Sequence, residues 1–240
     1  MREFKTTFSS PTHQGILFDF DGVLAQTMED NFSAWKASTA YYGLDIQRED
    51  YFPFEGMPPR EVVRYLFQHY DRQVPDVDKV ASQKDEYYLN SHQFKLYPGV
   101  TQLIDDLVKK ETPFGMVTGA SKKRLQKSVP SSFLSKFDTM VTGDMTTKGK
   151  PFPEPYLLGC HYLNLPPEKC IVIENAPLGI QAAKAANTYC IAICSTLDAP
   201  PLQEADRVID TFEQLQFLEI LRPLISSKKP KNNARIEAYE

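Results

Sequence analysis

Gly15-Ile16-Leu17-Phe18-Asp19-Phe20-Asp21-Gly22-Val23-Leu24 opens with crowded apolar side chains and then presents two acids and a glycine. A short apolar run without polar alternation is the pattern of a strand buried on both faces, as in a parallel sheet. Residues 15–21 are therefore predicted to form a central strand, with Asp19 and Asp21 standing where it stops. Strand geometry has a period of two, so these carboxylates point to the same side, and Gly22 gives the chain freedom to turn.

Outward from that strand, apolar runs of strand length recur at 113–118, 137–142, 170–174 and 189–194. Helical patterns lie between them at 100–110, 121–129, 153–163 and 177–186, each opened by a Gly, Ser or Pro signal. The alternation predicts an α/β protein with a doubly wound, parallel-sheet, Rossmann-like core. Residues 27–94 interrupt it with helical periodicity and aromatics such as Phe32, Trp35, Tyr65 and Phe67. The chain leaves the core after Leu24 and returns at Leu96-Tyr97-Pro98-Gly99, which predicts an inserted α-helical cap on two adjacent linkers. The division expected is a core of residues 13–26 and 95–225, a cap of 27–94, and a polar, disordered tail of 226–240.

With 240 residues and 42% hydrophobic composition, the chain can bury one sizeable core and a small appended unit. Its 27 Lys and Arg are dispersed against 31 Asp and Glu, giving a net charge of -4, so a basic face for nucleic acid is not expected. No apolar run approaches the ~18 residues needed to span a bilayer, and the first residues lack the apolar segment of a signal peptide. A cytoplasmic monomer acting on small molecules is the expectation. The four cysteines are expected to be reduced, with Cys190 and Cys194 as small core residues.

Ligands of open α/β sheets bind outside the carboxyl ends of the strands, so residues ending several strands should converge. Here these are Asp19 and Asp21, Thr118-Gly119, Lys150 from a later loop, and Glu174-Asn175. The set suits phosphate together with Mg2+. One aspartate can attack while its neighbour moves protons, and Lys150, the Thr118 hydroxyl and the metal can offset the phosphoryl oxygens. Magnesium prefers oxygen ligands, which Asp19, a carbonyl near Asp21, Glu174 and Asn175 would supply.

Four motifs, Asp-Phe-Asp-Gly-Val-Leu from Asp19, Val-Thr-Gly from Val117, Lys-Pro-Phe-Pro-Glu-Pro-Tyr from Lys150 and Ile-Glu-Asn-Ala-Pro-Leu-Gly from Ile173, occur in an order and at a spacing that resemble the haloacid dehalogenase superfamily. The resemblance spans 13–224, and the insertion is similar to that superfamily's small helical cap type. It implies that Asp19 attacks phosphorus to form an aspartyl phosphate, that Asp21 protonates the leaving oxygen and then activates water, and that Thr118 and the Gly119 amide hold a phosphoryl oxygen. Lys150 would neutralise charge, and Glu174 and Asn175 would hold the metal. The Asp-x-Asp pair resembles the phosphotransferase branches and not the dehalogenases.

Glu29-Asp30-Asn31-Phe32-Ser33-Ala34-Trp35-Lys36 resembles the β-phosphoglucomutase branch, with differences. Asn31 stands where that branch carries a His, Glu55 precedes Gly56 where it carries a Lys, and Asn175 replaces a commoner Asp. Arg60 is a candidate contact to a phosphate or carboxylate of the substrate, and Ser121 is either a phosphate contact or a helix cap. The expected function is Mg2+-dependent hydrolysis of a small phosphorylated metabolite such as a sugar phosphate. Alternatives are a phosphomutase, a pyrophosphatase in which Glu55 orients hydrated Mg2+, and a non-catalytic phosphate-ester binding module.

Overall fold

The computed structural model describes residues 13–225, so the expected tail at 226–240 lies outside the described residues. In chain order the elements are β1 (Gly15–Phe18), helices α1 (Met28–Ala40), α2 (Arg48–Tyr51), α3 (Pro59–His69), α4 (Val77–Ser91) and α5 (Val100–Lys109), then β2 (Phe114–Val117), α6 (Lys122–Ser128), α7 (Ser131–Leu134) and β3 (Thr139–Val141). After them come α8 (Glu154–Tyr162), β4 (Cys170–Glu174), α9 (Pro177–Ala185), β5 (Tyr189–Ile193), β6 (Arg207–Ile209) and α10 (Arg222–Ile225). All six strands run parallel, in the order β3-β2-β1-β4-β5-β6.

Strand β1 is central because its side chains can be dry on both faces. Ile16 and Phe18 enter one apolar layer with Ile171 and Ile173 of β4, whereas Leu17 enters the opposite layer with Val172. Chain order reverses on either side of β1, and a switch point of that kind opens a crevice at the carboxyl ends of β1 and β4. The acids of the first motif sit at that crevice.

Helices α1 to α4 form the insertion, with a third apolar cluster of their own that includes Trp35, Tyr51, Leu66 and Phe67. Its two connections run side by side. The Gln26 amide donates to the Lys95 carbonyl at 2.8 Å, and Ala25 bridges antiparallel to Leu96. Cys160, Cys170 and Cys190 are buried and Cys194 is half-buried, all as free thiols. Strand β6 was not expected from the sequence: it has three residues at the sheet edge, of which only Ile209 is buried.

Candidate active site

The carboxyl ends of β1 and β4 are adjacent, and their acids meet through one lysine. Lys150, from the loop before α8, donates to Asp19 Oδ1 and, at 2.6 Å, to Glu174 Oε1. All three groups are buried. Glu174 also accepts from the Tyr156 hydroxyl at 2.5 Å and from the amides of Asn175 and Ala176 at 2.9 and 3.3 Å. Both of its oxygens accept hydrogen bonds, so Glu174 fixes Lys150 against the end of β1.

Burial pushes the Asp19 carboxyl well above the usual carboxylate range, and the Lys150 charge opposes that push. Burial lowers the Lys150 pKa, but Asp19 and Glu174 outweigh it and keep the ammonium charged. A buried carboxylate that shares one ammonium with a second carboxylate is an arrangement a further cation would complete.

Asp21 is held from three directions. Its Oδ1 accepts from the Thr27 hydroxyl at 2.6 Å and from Asn31 Nδ2 at 3.0 Å, while Oδ2 accepts from Arg124. Burial raises the Asp21 pKa, but Arg124, Thr27 and Lys84 prevail and hold it below the ordinary carboxylate value. The other end of Asn31 accepts from Lys84 Nζ at 2.6 Å and from Arg124 Nη1 at 2.8 Å. Asn31 therefore works as a polar junction between the insertion and the core.

For a divalent ion, the relevant feature is a buried oxygen left without a partner. The Asn175 side chain is wholly buried, its Nδ2 donates to Thr196 Oγ1 at 2.9 Å, and its Oδ1 has no partner. Gly22, at φ +83°, makes room for that amide: a Cβ there would lie 2.1 Å from Asn175 Nδ2. Among the described residues no three His, Cys, Asp or Glu are gathered in metal-binding geometry. A resident ion would thus have a mixed set of Asp19 carboxylate, backbone carbonyl, Asn175 amide oxygen and water, and the hard character of these oxygens fits Mg2+.

Asp19, Asp21, Glu55, Gly56 and Gly119 face one cavity of about 30 Å3 between the core and the insertion. That is room for about two waters. The insertion touches down at Gly56, where a Cβ would lie 3.0 Å from Lys150 Cδ, and where the Gly56 carbonyl would sit 3.3 Å from a Cβ on Gly119. Glu55 is buried, bonded to the Tyr51 hydroxyl, and raised to about 7 by burial and the charge of Asp21.

The remaining expected residues divide. Thr118 is buried beside the site, with its hydroxyl accepting from the Ala120 amide at 3.1 Å. Ser121 caps α6 by accepting from the Arg124 amide at 3.2 Å, and donates to Asp85 of the insertion at 3.3 Å, so it acts as a cap and a tie. Arg60 is exposed on α3 and paired with Asp78, and it is not among the residues lining the cavity.

Thr27, Lys84, Arg124, Tyr51 and Tyr156 take part in the site but were not expected. For Arg124 the sequence carried a signal. Lys122, Lys123 and Arg124 occupy the first turn of a helix, where the helix dipole disfavours cations, so another reason for them is required. Lys84 lies in a charged helical stretch and carries no comparable mark.

The model of the haloacid dehalogenase-like hydrolase family matches residues 16–193. The validoxylamine A 7'-phosphate phosphatase of Streptomyces hygroscopicus subsp. limoneus is 29% identical over 210 residues, covering 85% of this chain and 96% of that protein. The phosphorylated carbohydrates phosphatase of Thermotoga maritima is 30% identical, covering 81% and 92%. Among solved structures, a variant of CbbY from Rhodobacter sphaeroides in complex with xylulose 1,5-bisphosphate superposes with a TM-score of 0.74 at 26% identity, over 85% of this chain and 96% of that one. The parallel sheet, the four motifs at its carboxyl edge and a family match covering most of the chain agree: this protein belongs to the haloacid dehalogenase-like hydrolase family.

Proposed function

We propose that the protein hydrolyses a small phosphorylated metabolite of the sugar-phosphate class in two steps. The observation that carries this reading is the buried Lys150 bridging Asp19 and Glu174, with Asp21 two residues beyond Asp19 at the same strand end. Lys150 is committed to Asp19, which orients that carboxylate and offsets charge as the anionic phosphoryl group approaches. Similarity to a validoxylamine A 7'-phosphate phosphatase and a phosphorylated carbohydrates phosphatase supports the substrate class.

In the first step an Asp19 oxygen bonds to phosphorus, the bond from phosphorus to the ester oxygen breaks, and that oxygen takes a proton from Asp21, which must first leave the Arg124, Thr27 and Asn31 contacts that hold it ionised in this closed arrangement. In the second, water loses a proton to Asp21 as its oxygen bonds to phosphorus and the bond to Asp19 breaks, which restores the carboxylate and frees phosphate. The amide of Gly119, which lines the same cavity as Asp19, and the Thr118 hydroxyl would donate to the phosphoryl oxygens. Mg2+, held by Asp19, the Asp21 carbonyl and Asn175, would supply charge neutralisation. The helical insertion acts as a cap that opens for substrate and excludes bulk water when closed.

The test is phosphate release from hexose phosphates, polyol phosphates, phosphoglycolate and pyrophosphate, with Mg2+ and with EDTA. Release is expected with Mg2+ and lost with EDTA, and Asp19→Asn is expected to reduce it by at least about 10^3-fold. Undiminished turnover by Asp19→Asn would overturn the assignment of the nucleophile. Pyrophosphate as sole substrate would replace the sugar-phosphate reading.

A further inference from the structure

Lys84 and Arg124 are two cations in the cavity wall beyond the lysine that serves the nucleophile. Lys84 comes from α4 of the insertion and Arg124 from α6 of the core, at 4% and 3% exposure. Both donate to one neutral acceptor, Asn31 Oδ1, at 2.6 and 2.8 Å. Two nitrogens on one oxygen cannot stand more than about 5.4 Å apart, so two like charges are buried almost in contact.

The protein offsets one of the two charges and leaves the other with less. Asp21 is the buried counter-ion of Arg124, whose Nε is nonetheless buried with no partner, and no second carboxylate touches the pair as closely. The carboxylate nearest Lys84 is Asp85, 3.8 Å away and partly exposed. Glu55 gives its contact to Tyr51, and with a pKa near 7 it carries incomplete charge at neutrality. Tyr88 and Trp35 turn their rings to the cations, Arg124 4.6 Å from the Tyr88 centroid and Lys84 5.2 and 5.5 Å from Tyr88 and Trp35. Ring faces make such burial tolerable but supply no counter-charge.

We propose that Lys84 and Arg124 form a receptor for a second anionic group of the substrate, a carboxylate or a second phosphoryl group carried on the same compact body as the phosphoryl that is transferred. The proposal rests on the phosphatase reading above and narrows its substrate class. A hydroxyl would accept the same hydrogen bonds and leave the charge unmatched, so substrates are sorted by charge and not by hydrogen-bonding capacity alone. Because one cation belongs to the insertion and the other to the core, the anion is gripped fully only when the two are together.

The experiment uses the full chain with Mg2+ and two matched pairs: 3-phosphoglycerate against glycerol 3-phosphate, and fructose 1,6-bisphosphate against fructose 6-phosphate. The charged member of at least one pair is expected to show kcat/KM at least about tenfold higher, and the pair that responds tells carboxylate from phosphoryl. Lys84→Gln is expected to lower that ratio by about tenfold or more, chiefly through KM. Parity within both pairs, preference for the neutral members, or an unchanged ratio in folded Lys84→Gln would overturn the receptor while leaving the phosphatase reading in place. Absence of release from all four would remove the phosphatase reading instead. The receptor is then decided by calorimetric binding of 3-phosphoglycerate and glycerol 3-phosphate to Asp19→Asn protein, where equal affinities overturn it and tighter binding of the charged partner sustains it.

Discussion

Glu174 accepts four hydrogen bonds, and the one from Tyr156 reaches the same oxygen, Oε1, as the one from Lys150. Tyr156→Phe would remove that bond and keep the ring whose centroid lies 5.2 Å from Lys150 Nζ. It is expected to lower kcat roughly tenfold with KM little changed, because the loss falls on the orientation of Lys150 and Asp19 and not on substrate contacts. Equal falls in kcat and thermal stability without this kinetic split would make Tyr156 a packing residue only. Lys84 makes a complementary case. Burial and the Arg124 charge lower its pKa from the ordinary 10.5 to about 8. The fold thus disfavours the charged form, and stability is lost as pH falls from above 10.5 through 8, a penalty fully present at pH 7. Its size is on the order of 3 kcal/mol before lost contacts are counted. Lys84→Met is accordingly expected to raise the melting temperature at pH 7 and to lose that gain near pH 10; a lower melting temperature at pH 7 would refute the cost.

At the scale of elements, α9 must start very close to the end of β4. A Cβ on Gly179 would lie 1.8 Å from Glu174 Oε1, and backbone-borne atoms cannot swing away. Gly179→Ala is expected to displace the Glu174 carboxylate and reduce turnover at least about tenfold while the protein remains folded, since the strain falls on one side chain and not on the sheet; wild-type kinetics would show that α9 can shift freely. The same elements show what could be read in advance. The runs at 170–174 and 189–194 were legible as strands because their residues are apolar on both faces, and β4 matches its run residue for residue. Asp19, Asp21, Lys150 and Glu174 were legible because strand ends in such a sheet converge, so order along the chain stood in for proximity in space. Lys84 and Arg124 join the site through helix packing, across separations such as 103 residues for Arg124 and Asp21, and no local pattern records that. Glu174 was legible as an acid of the site, but nothing in its own motif shows that Tyr156 and Lys150 would share one of its oxygens.

For the whole molecule, the consequential fact is that the insertion has its own apolar cluster while its connections enter and leave the core side by side at Gln26 and Lys95. The core clusters around β1 and β4 contain no residue of α1 to α4. Replacing residues 28–92 by a short Gly-Ser linker should therefore leave a core that folds, since closing a short gap costs little loop entropy and removes no sheet contact. Such a core would keep Asp19, Lys150, Glu174 and Asn175 but lose Asn31, Lys84, Glu55 and Gly56. If the insertion supplies selectivity and solvent exclusion while the core supplies the chemistry, the shortened protein should release p-nitrophenol from p-nitrophenyl phosphate, whose leaving group needs no proton from Asp21. Its kcat/KM for sugar phosphates should fall by at least about 10^2-fold, and its preferences among them should flatten. Circular dichroism and a cooperative melt would establish that it is folded. A folded core with no activity on the activated ester would mean that α1 and α4 do more than cover the site, and that holding Asp21 through Asn31 is required for phosphoryl transfer itself.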